Sequence, residues 1–247
     1  MRRTPAIAVA GAAATFTLVF AACGERTAPL TAPHASLAAI ASAACALDAS
    51  GIYAQIALVF PAGNDRTAAE ARFDNIDKLL ERGSAGDSAT AQDHALSLIE
   101  FTIRKYRADM LIAGTTTEDV GLLVNALLCY SGLPPNLDPN ALGPDGAIAL
   151  ISPTTDTTLT TGTRWAGVDI DSGSVTRTVL VTITRVPPAG ETLATNLDTY
   201  PLYYEFASLP ATTFEDSIVV GVCQPEDLVL PDSVRDRLRL AHNVGPS

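Results

Sequence analysis

The chain is short of the residues that most often carry chemistry. Of its 247 residues, two are lysine (Lys78 and Lys105), three are histidine and one is tryptophan. Zinc sites and hydrolytic triads commonly rest on histidine, and His34, His94 and His242 have no partner at ligand spacing. His94, beside Asp93 on a helical pattern, reads as a solvated surface residue. No Gly-x-Ser-x-Gly elbow, His-Glu-x-x-His pair, phosphate-cradling glycine loop or dinucleotide fingerprint occurs. The formal charge of -11 repels phosphate backbones, which argues against nucleic acid as a partner. After the first 22 residues no apolar run approaches the about 20 residues of a membrane span. What the chain does have is a 47% hydrophobic content, ample for a packed core and too high for a disordered protein.

The start of the chain has an ordered layout. Arg2 and Arg3 precede an uncharged stretch from Ala6 to Phe20, and small residues Ala21 and Ala22 stand before Cys23. This is the pattern of an export signal. The sequence Ala21-Ala22-Cys23 resembles the lipobox of bacterial lipoproteins, although Phe20 is bulky where that motif usually carries a small or branched residue. The resemblance implies cleavage before Cys23, acylation of that cysteine and attachment to a membrane on the periplasmic or cell-surface face of a bacterial envelope. The expected organisation is a signal peptide over 1–22, a flexible tether over 23–44, a helical bundle over 45–132, a linker over 133–146, a β-sandwich-like domain over 147–225 and a tail over 226–247. The predicted class is α+β.

The tether assignment rests on the Ala, Pro, Thr and Ser of "GERTAPLTAPHASLAAIASAA", which bury too little to offset ordering entropy. Four antiparallel helices are predicted beyond it. The first runs from Ile52 to Phe60 and is stopped by Pro61. In the second, Thr67 and Glu70 form a capping-box pattern, Phe73, Ile76, Leu79 and Leu80 share a face, and Gly83 closes the helix. The third runs from Asp87 or Ser88 to Gly114, with Ala91, Ala95, Leu98, Ile99 and Tyr106 inward. The fourth opens at Thr115 with Glu118 and ends at Gly132. Four prolines in "LPPNLDPNALGPDG" mark the linker. Past it, "AIALI", "WAGVDI", "RTVLVTITRV", "YPLYYEF" and "DSIVVGVC" read as strands, with Val179, Val181 and Ile183 on one face and Leu180 and Thr182 on the other. The end of the chain, Asp232 to Leu240, fits a short helix or a charged strand equally well.

Two further resemblances attach to these stretches. The helical run "ARFDNIDKLLERG" followed by a capped helix is similar to FIMAH-type helical domains of bacterial surface proteins. "WAGVDIDSGSVTRTVLVTIT" is similar to the ZU-type β domain of zonula occludens proteins, ankyrins and netrin receptors, with Asp171 to Ser174 in place of that family's proline-glycine turn. Both imply interaction modules and supply no catalytic residues to transfer.

Export makes disulfides permissible. With Cys23 acylated, an odd number of cysteines remains: Cys45, Cys129 and Cys223. An even number of antiparallel helices brings the chain back to its starting end and so favours Cys45 with Cys129. A Cys129 to Cys223 bridge and three buried thiols remain the other arrangements. The carboxylates offer two loose groupings. Asp169 and Asp171, two apart, face the same side of a strand and with Ser172 or a carbonyl form a possible calcium site. Asp138, Asn140 and Asp145 share a loop without EF-hand spacing. The 27 acids are numerous enough for a glycosidase pair, which spacing alone does not pick out. Tyr200, Tyr203 and Trp165 form the candidate binding patch, since an aromatic with a polar tip suits sugar or protein contacts. The function expected from all this is a non-enzymatic envelope interaction or structural module without cofactor, with an envelope protein or polysaccharide as partner; the alternative is a carbohydrate-binding or carbohydrate-active surface protein.

Overall fold

A computed structural model of the protein describes residues 37–186, 203–216 and 218–222. Cys23, Tyr200, Cys223 and the stretch 226–247 lie outside the described residues. The fold is mixed α+β. Among the described residues five α-helices come first: α1 (Leu37–Cys45), α2 (Ala49–Val59), α3 (Asn64–Arg82), α4 (Ala85–Arg107) and α5 (Thr117–Tyr130). A 3-10 turn at Pro139–Leu142 leads into β1 (Ala147–Ile151), β2 (Thr157–Thr160), β3 (Ala166–Ile170), β4 (Val179–Val186), β5 (Tyr203–Leu209) and β6 (Val219–Val222).

Helix boundaries follow from local capping chemistry. Asp48 accepts the Gly51 N–H at 2.8 Å and starts α2, three residues earlier than Ile52. Ser84 accepts the Asp87 N–H at 3.1 Å and starts α4. At α5 the reciprocal box is Thr116 with Asp119, one residue beyond the expected Thr115 and Glu118. The Thr67 and Glu70 pattern lies inside α3, which already opens at Asn64 behind Gly63. There the chain needs a backbone angle φ of 136°, which glycine adopts without steric cost. The helix α4 stops at Arg107, seven residues short of Gly114. Asp109 takes a positive φ of 52°, and the Ile112 N–H is given to Val59 O at 2.9 Å, so the chain leaves the helix to cross the end of α2.

Two expected connections carry structure. The stretch expected as tether up to Ala44 is helical from Leu37, in keeping with alanine's high helix propensity, and Ile40 and Ala44 are buried. The stretch 133–146 is packed and is not a linker. Leu133, Leu137, Ala141 and Leu142 are buried within the helical core, and Asn125 of α5 clamps the backbone of Leu137. Its side-chain amide donates to Leu137 O at 2.9 Å, while its Oδ1 accepts the Leu137 N–H at 2.9 Å. Gly121 faces the same segment: a Cβ there would stand 2.8 Å from Pro139 Cγ.

The strands form two three-stranded antiparallel sheets, in orders β1-β4-β5 and β2-β3-β6. The β2 strand was not expected from the sequence and pairs Thr157 to Thr160 with Gly167 to Ile170. Strand β4 is central to its sheet and pairs with β1 and β5. Its two faces go to different cores. Leu180, with Ile148 and Leu209, joins the helical core; Val179, Val181 and Ile183 join Leu159, Val168 and Ile170 of the other sheet. The helices and sheets thus share one sheet as a common wall.

Cys45 at the end of α1 and Cys129 near the end of α5 are joined by a disulfide. Close by, the Tyr130 hydroxyl donates to Asp77 Oδ1. Burial, then that hydrogen bond and the Asp77 charge, push the Tyr130 hydroxyl up to about 12. A group whose folded value is raised stabilises the fold fully below its unfolded value of about 10 and loses that contribution as pH climbs through the folded value. Stability should therefore fall between pH ~10 and ~12. Tyr130→Phe should flatten that part of the curve in urea titrations at stepped pH; an unchanged slope would remove Tyr130 as its source.

Candidate functional site

A polar concavity lies where segment 142–146 meets the hairpin between β2 and β3. That hairpin turns over Thr161 to Trp165. The Thr161 hydroxyl accepts the N–H groups of Trp165 and Ala166 at 3.1 and 3.2 Å, and Arg164 takes a φ of 61°. The Thr163 N–H is given to Pro144 O at 3.0 Å, docking the turn on the proline segment. The approach is close: a Cβ on Gly162 of the turn would stand 2.8 Å from Pro144 O, so alanine does not fit there without backbone movement.

Against this junction β4 delivers Arg185. Its guanidinium lies 5.6 Å from the centroid of the Trp165 ring and 2.7 Å from Asp145 Oδ2. Asp145 Oδ1 is buried and has no hydrogen-bond partner among the described residues. Trp165 is half-buried, and the guanidinium occupies part of one face of its indole in a cation–π contact. Beside this cluster is a cleft of about 250 Å³ lined by Arg107, Leu142, Gly143, Pro144, Thr160 and Gly162. Partial burial lowers the Arg107 pKa, yet an arginine so placed keeps its charge. Chemically the cleft offers a cation, a threonine hydroxyl and backbone dipoles, which suit a small polar or anionic group. Its lining includes no nucleophile with an adjacent base.

The sequence candidates are distributed as follows. Trp165 belongs to the junction just described. Tyr203 begins β5 opposite Val186, in the other sheet from the β3 strand that follows Trp165, and Tyr200 lies outside the described residues. Asp169 and Asp171 are exposed, Asp169 standing between Thr158 and Val219 in its sheet. Among the described residues, no three His, Cys, Asp or Glu side chains come together as a metal-sized group. His94 is exposed and lines a shallow groove between α3 and α4 with Lys78 and Arg82. Sequence reading singled out Trp165 and Asp145 separately and missed Arg185 and Arg107. A basic residue at the end of an alternating strand carries no local sign that it will bridge an acid 40 positions earlier.

With this geometry in hand, comparison with protein-family models, curated proteins and solved structures finds no match for the chain.

Proposed function

We propose that the protein is an exported, lipid-anchored envelope protein whose helical bundle and β-sandwich-like part act together as a non-enzymatic interaction or structural module. The observation that carries this reading is the way its acids are used. Asp48, Asp119 and Asp138 cap helices or turns, and Asp156 accepts the Ser172 N–H at 2.8 Å. Asp65, Asp74 and Asp145 are held in ion pairs with Lys105, Lys78 and Arg185. Carboxylates so committed hold backbone and turns in place, and a glycosidase needs two that face a substrate with one kept protonated. The anchor follows from Arg2, Arg3, the apolar stretch and Cys23, and stable attachment takes more than one acyl chain.

A second reading, carbohydrate binding, is favoured by one feature: a half-exposed indole flanked by Arg185 and Asp145 at the rim of a polar cleft. One experiment addresses both. The full chain is expressed with its leader in a bacterial host, the mature protein is weighed by mass spectrometry and then immobilised, and solubilised envelope proteins and envelope polysaccharides are passed over it separately. Acylation at Cys23 and a retained protein partner are expected. A mature chain lacking acyl groups would remove the anchor. Glycan retention lost in Trp165→Ala would replace the first reading by the second.

A further inference from the structure

Helix α1 has nine residues, fewer than the about 12–15 at which a helix is even marginal alone in water, so its place depends on what holds it. Between Ala39 and Cys45 it buries Ile40 and Ala44 and exposes Ala39, Ser42, Ala43 and Cys45. Of the two buried side chains, only Ala44 belongs to the helical core. The covalent hold is the bond from Cys45 to Cys129, exposed at its Cys45 end and half-buried at its Cys129 end. The body beyond α1 closes by other means. Asp48 starts α2 with its own cap on the Gly51 N–H, and the chain turns through 118° between Ala39–Cys45 and Ala49–Val59, so α1 is an arm hinged ahead of α2. Past that hinge Ile52 and Ile56 of α2 lie fully buried in one core with Leu123 and Leu127 of α5.

We infer that the Cys45–Cys129 bond is a redox-operated clasp: a dithiol opens it, α1 unwinds from α5 as far as Asp48, and the body from α2 onward stays folded. The chemistry is thiol–disulfide exchange. One thiolate of the reductant attacks Cys45 Sγ at the exposed end, and Cys129 Sγ leaves as a thiolate that takes up a proton. The second thiol of the reductant then attacks its own sulfur in the mixed disulfide, and Cys45 departs and is protonated in turn. Two electrons and two protons pass to the protein, and the dithiol becomes a disulfide. Asp77, Glu81 and Asp48 all act electrostatically on Tyr130, the neighbour of Cys129, so an anionic reductant is repelled and a neutral or basic one fits. A broad apolar stripe would have fixed α1 permanently; a surface bond makes its docking conditional on the oxidised state. The consequence for reach rests on the anchored reading. With α1 docked, the chain between Cys23 and Leu37 spans at most about 50 Å; with α1 released, the span from Cys23 to Asp48 rises to about 85 Å. Opening the bond therefore lets the body work farther from the bilayer.

The test is hydrogen exchange at room temperature on the full chain expressed with its leader, before and after treatment with uncharged dithiothreitol. Free thiols are counted by alkylation of an aliquot, and the acyl mass is read from the same preparation. On reduction the amides of 41–47 should exchange at least about tenfold faster, while those of α3 and α4 change by less than about twofold. The double variant Cys45→Ser/Cys129→Ser should show the fast pattern without reductant; where it does not accumulate, the reduced parent supplies the same comparison. Protection of 41–47 that survives full reduction means that packing holds α1, which overturns the clasp and leaves the anchor untouched. Protection lost throughout the chain makes the bond a staple of the whole fold and overturns the clasp as well, as does a bond that resists dithiothreitol until the chain unfolds. Release of α1 in a chain that carries no acyl group keeps the clasp and overturns the anchor.

Discussion

Replacing Asn125 by alanine should cost roughly 3–5 kcal/mol of unfolding free energy, a large share of the 5–15 kcal/mol typical of a folded domain. The reason is reciprocity. One buried amide satisfies both the N–H and the C=O of Leu137, and both Asn125 and Leu137 are fully buried. Truncation strands two backbone groups at once, each costing about 1–3 kcal/mol when left without a partner in the interior. Urea unfolding of Asn125→Ala against the parent measures this directly. Asn136→Ala, at an exposed position, is the control and should stay within about 0.5 kcal/mol. A loss below about 1 kcal/mol at Asn125 would mean that water or a local shift replaces the clamp, and that the proline segment is held by apolar contacts alone.

The second large effect is expected from the cystine. The bond closes a loop with a sequence separation of 84. In the chain-entropy account such a crosslink stabilises by roughly 4.5 kcal/mol, through its restriction of the unfolded chain. The double variant Cys45→Ser/Cys129→Ser should melt on the order of 10–15 °C lower, since 1 kcal/mol corresponds to about 2–4 °C at this size. Reductant added to the parent should reproduce most of that shift. Peptide mapping without reduction is the companion measurement. A link from Cys129 to Cys223 would contradict the pairing, and a melt indifferent to reductant would show that the bond contributes little.

These two sites also mark how far the sequence could be read. Helix ends were legible wherever the signal is a single side chain beside its own backbone, as at Gly83, or within a residue of the cap, as at Thr116. Strand β4 was legible because alternation is a local property: Val179, Val181 and Ile183 had to share a face. What each face would meet was not, since Leu180 reaches helices whose residues lie more than 50 positions away. The segment 133–146 was misread for a similar reason. Proline, asparagine and glycine exclude an α-helix, and the step from there to an unpacked linker fails because Leu133, Leu137 and Leu142 insert singly. Their polar backbone is satisfied by Asn125 from outside the segment, and nothing within it announces that partner. In α1 the alanines lacked a strong period, so helix propensity was present without the face that usually reveals a buried helix. At the junction, Trp165 and Asp145 were visible as residue types, whereas their meeting through Arg185 depends on strand register.

The shared wall of β1, β4 and β5 has a consequence for dissection of the gene product. A fragment ending at the proline segment would leave the helices with an open apolar flank where Ile148, Leu180 and Leu209 had been. A fragment beginning there would present those same side chains to water from the other side. Neither half is a natural unit for recombinant production, and each would meet its copies through the exposed flank. A piece that runs from Leu37 through both sheets keeps that wall covered on its two sides.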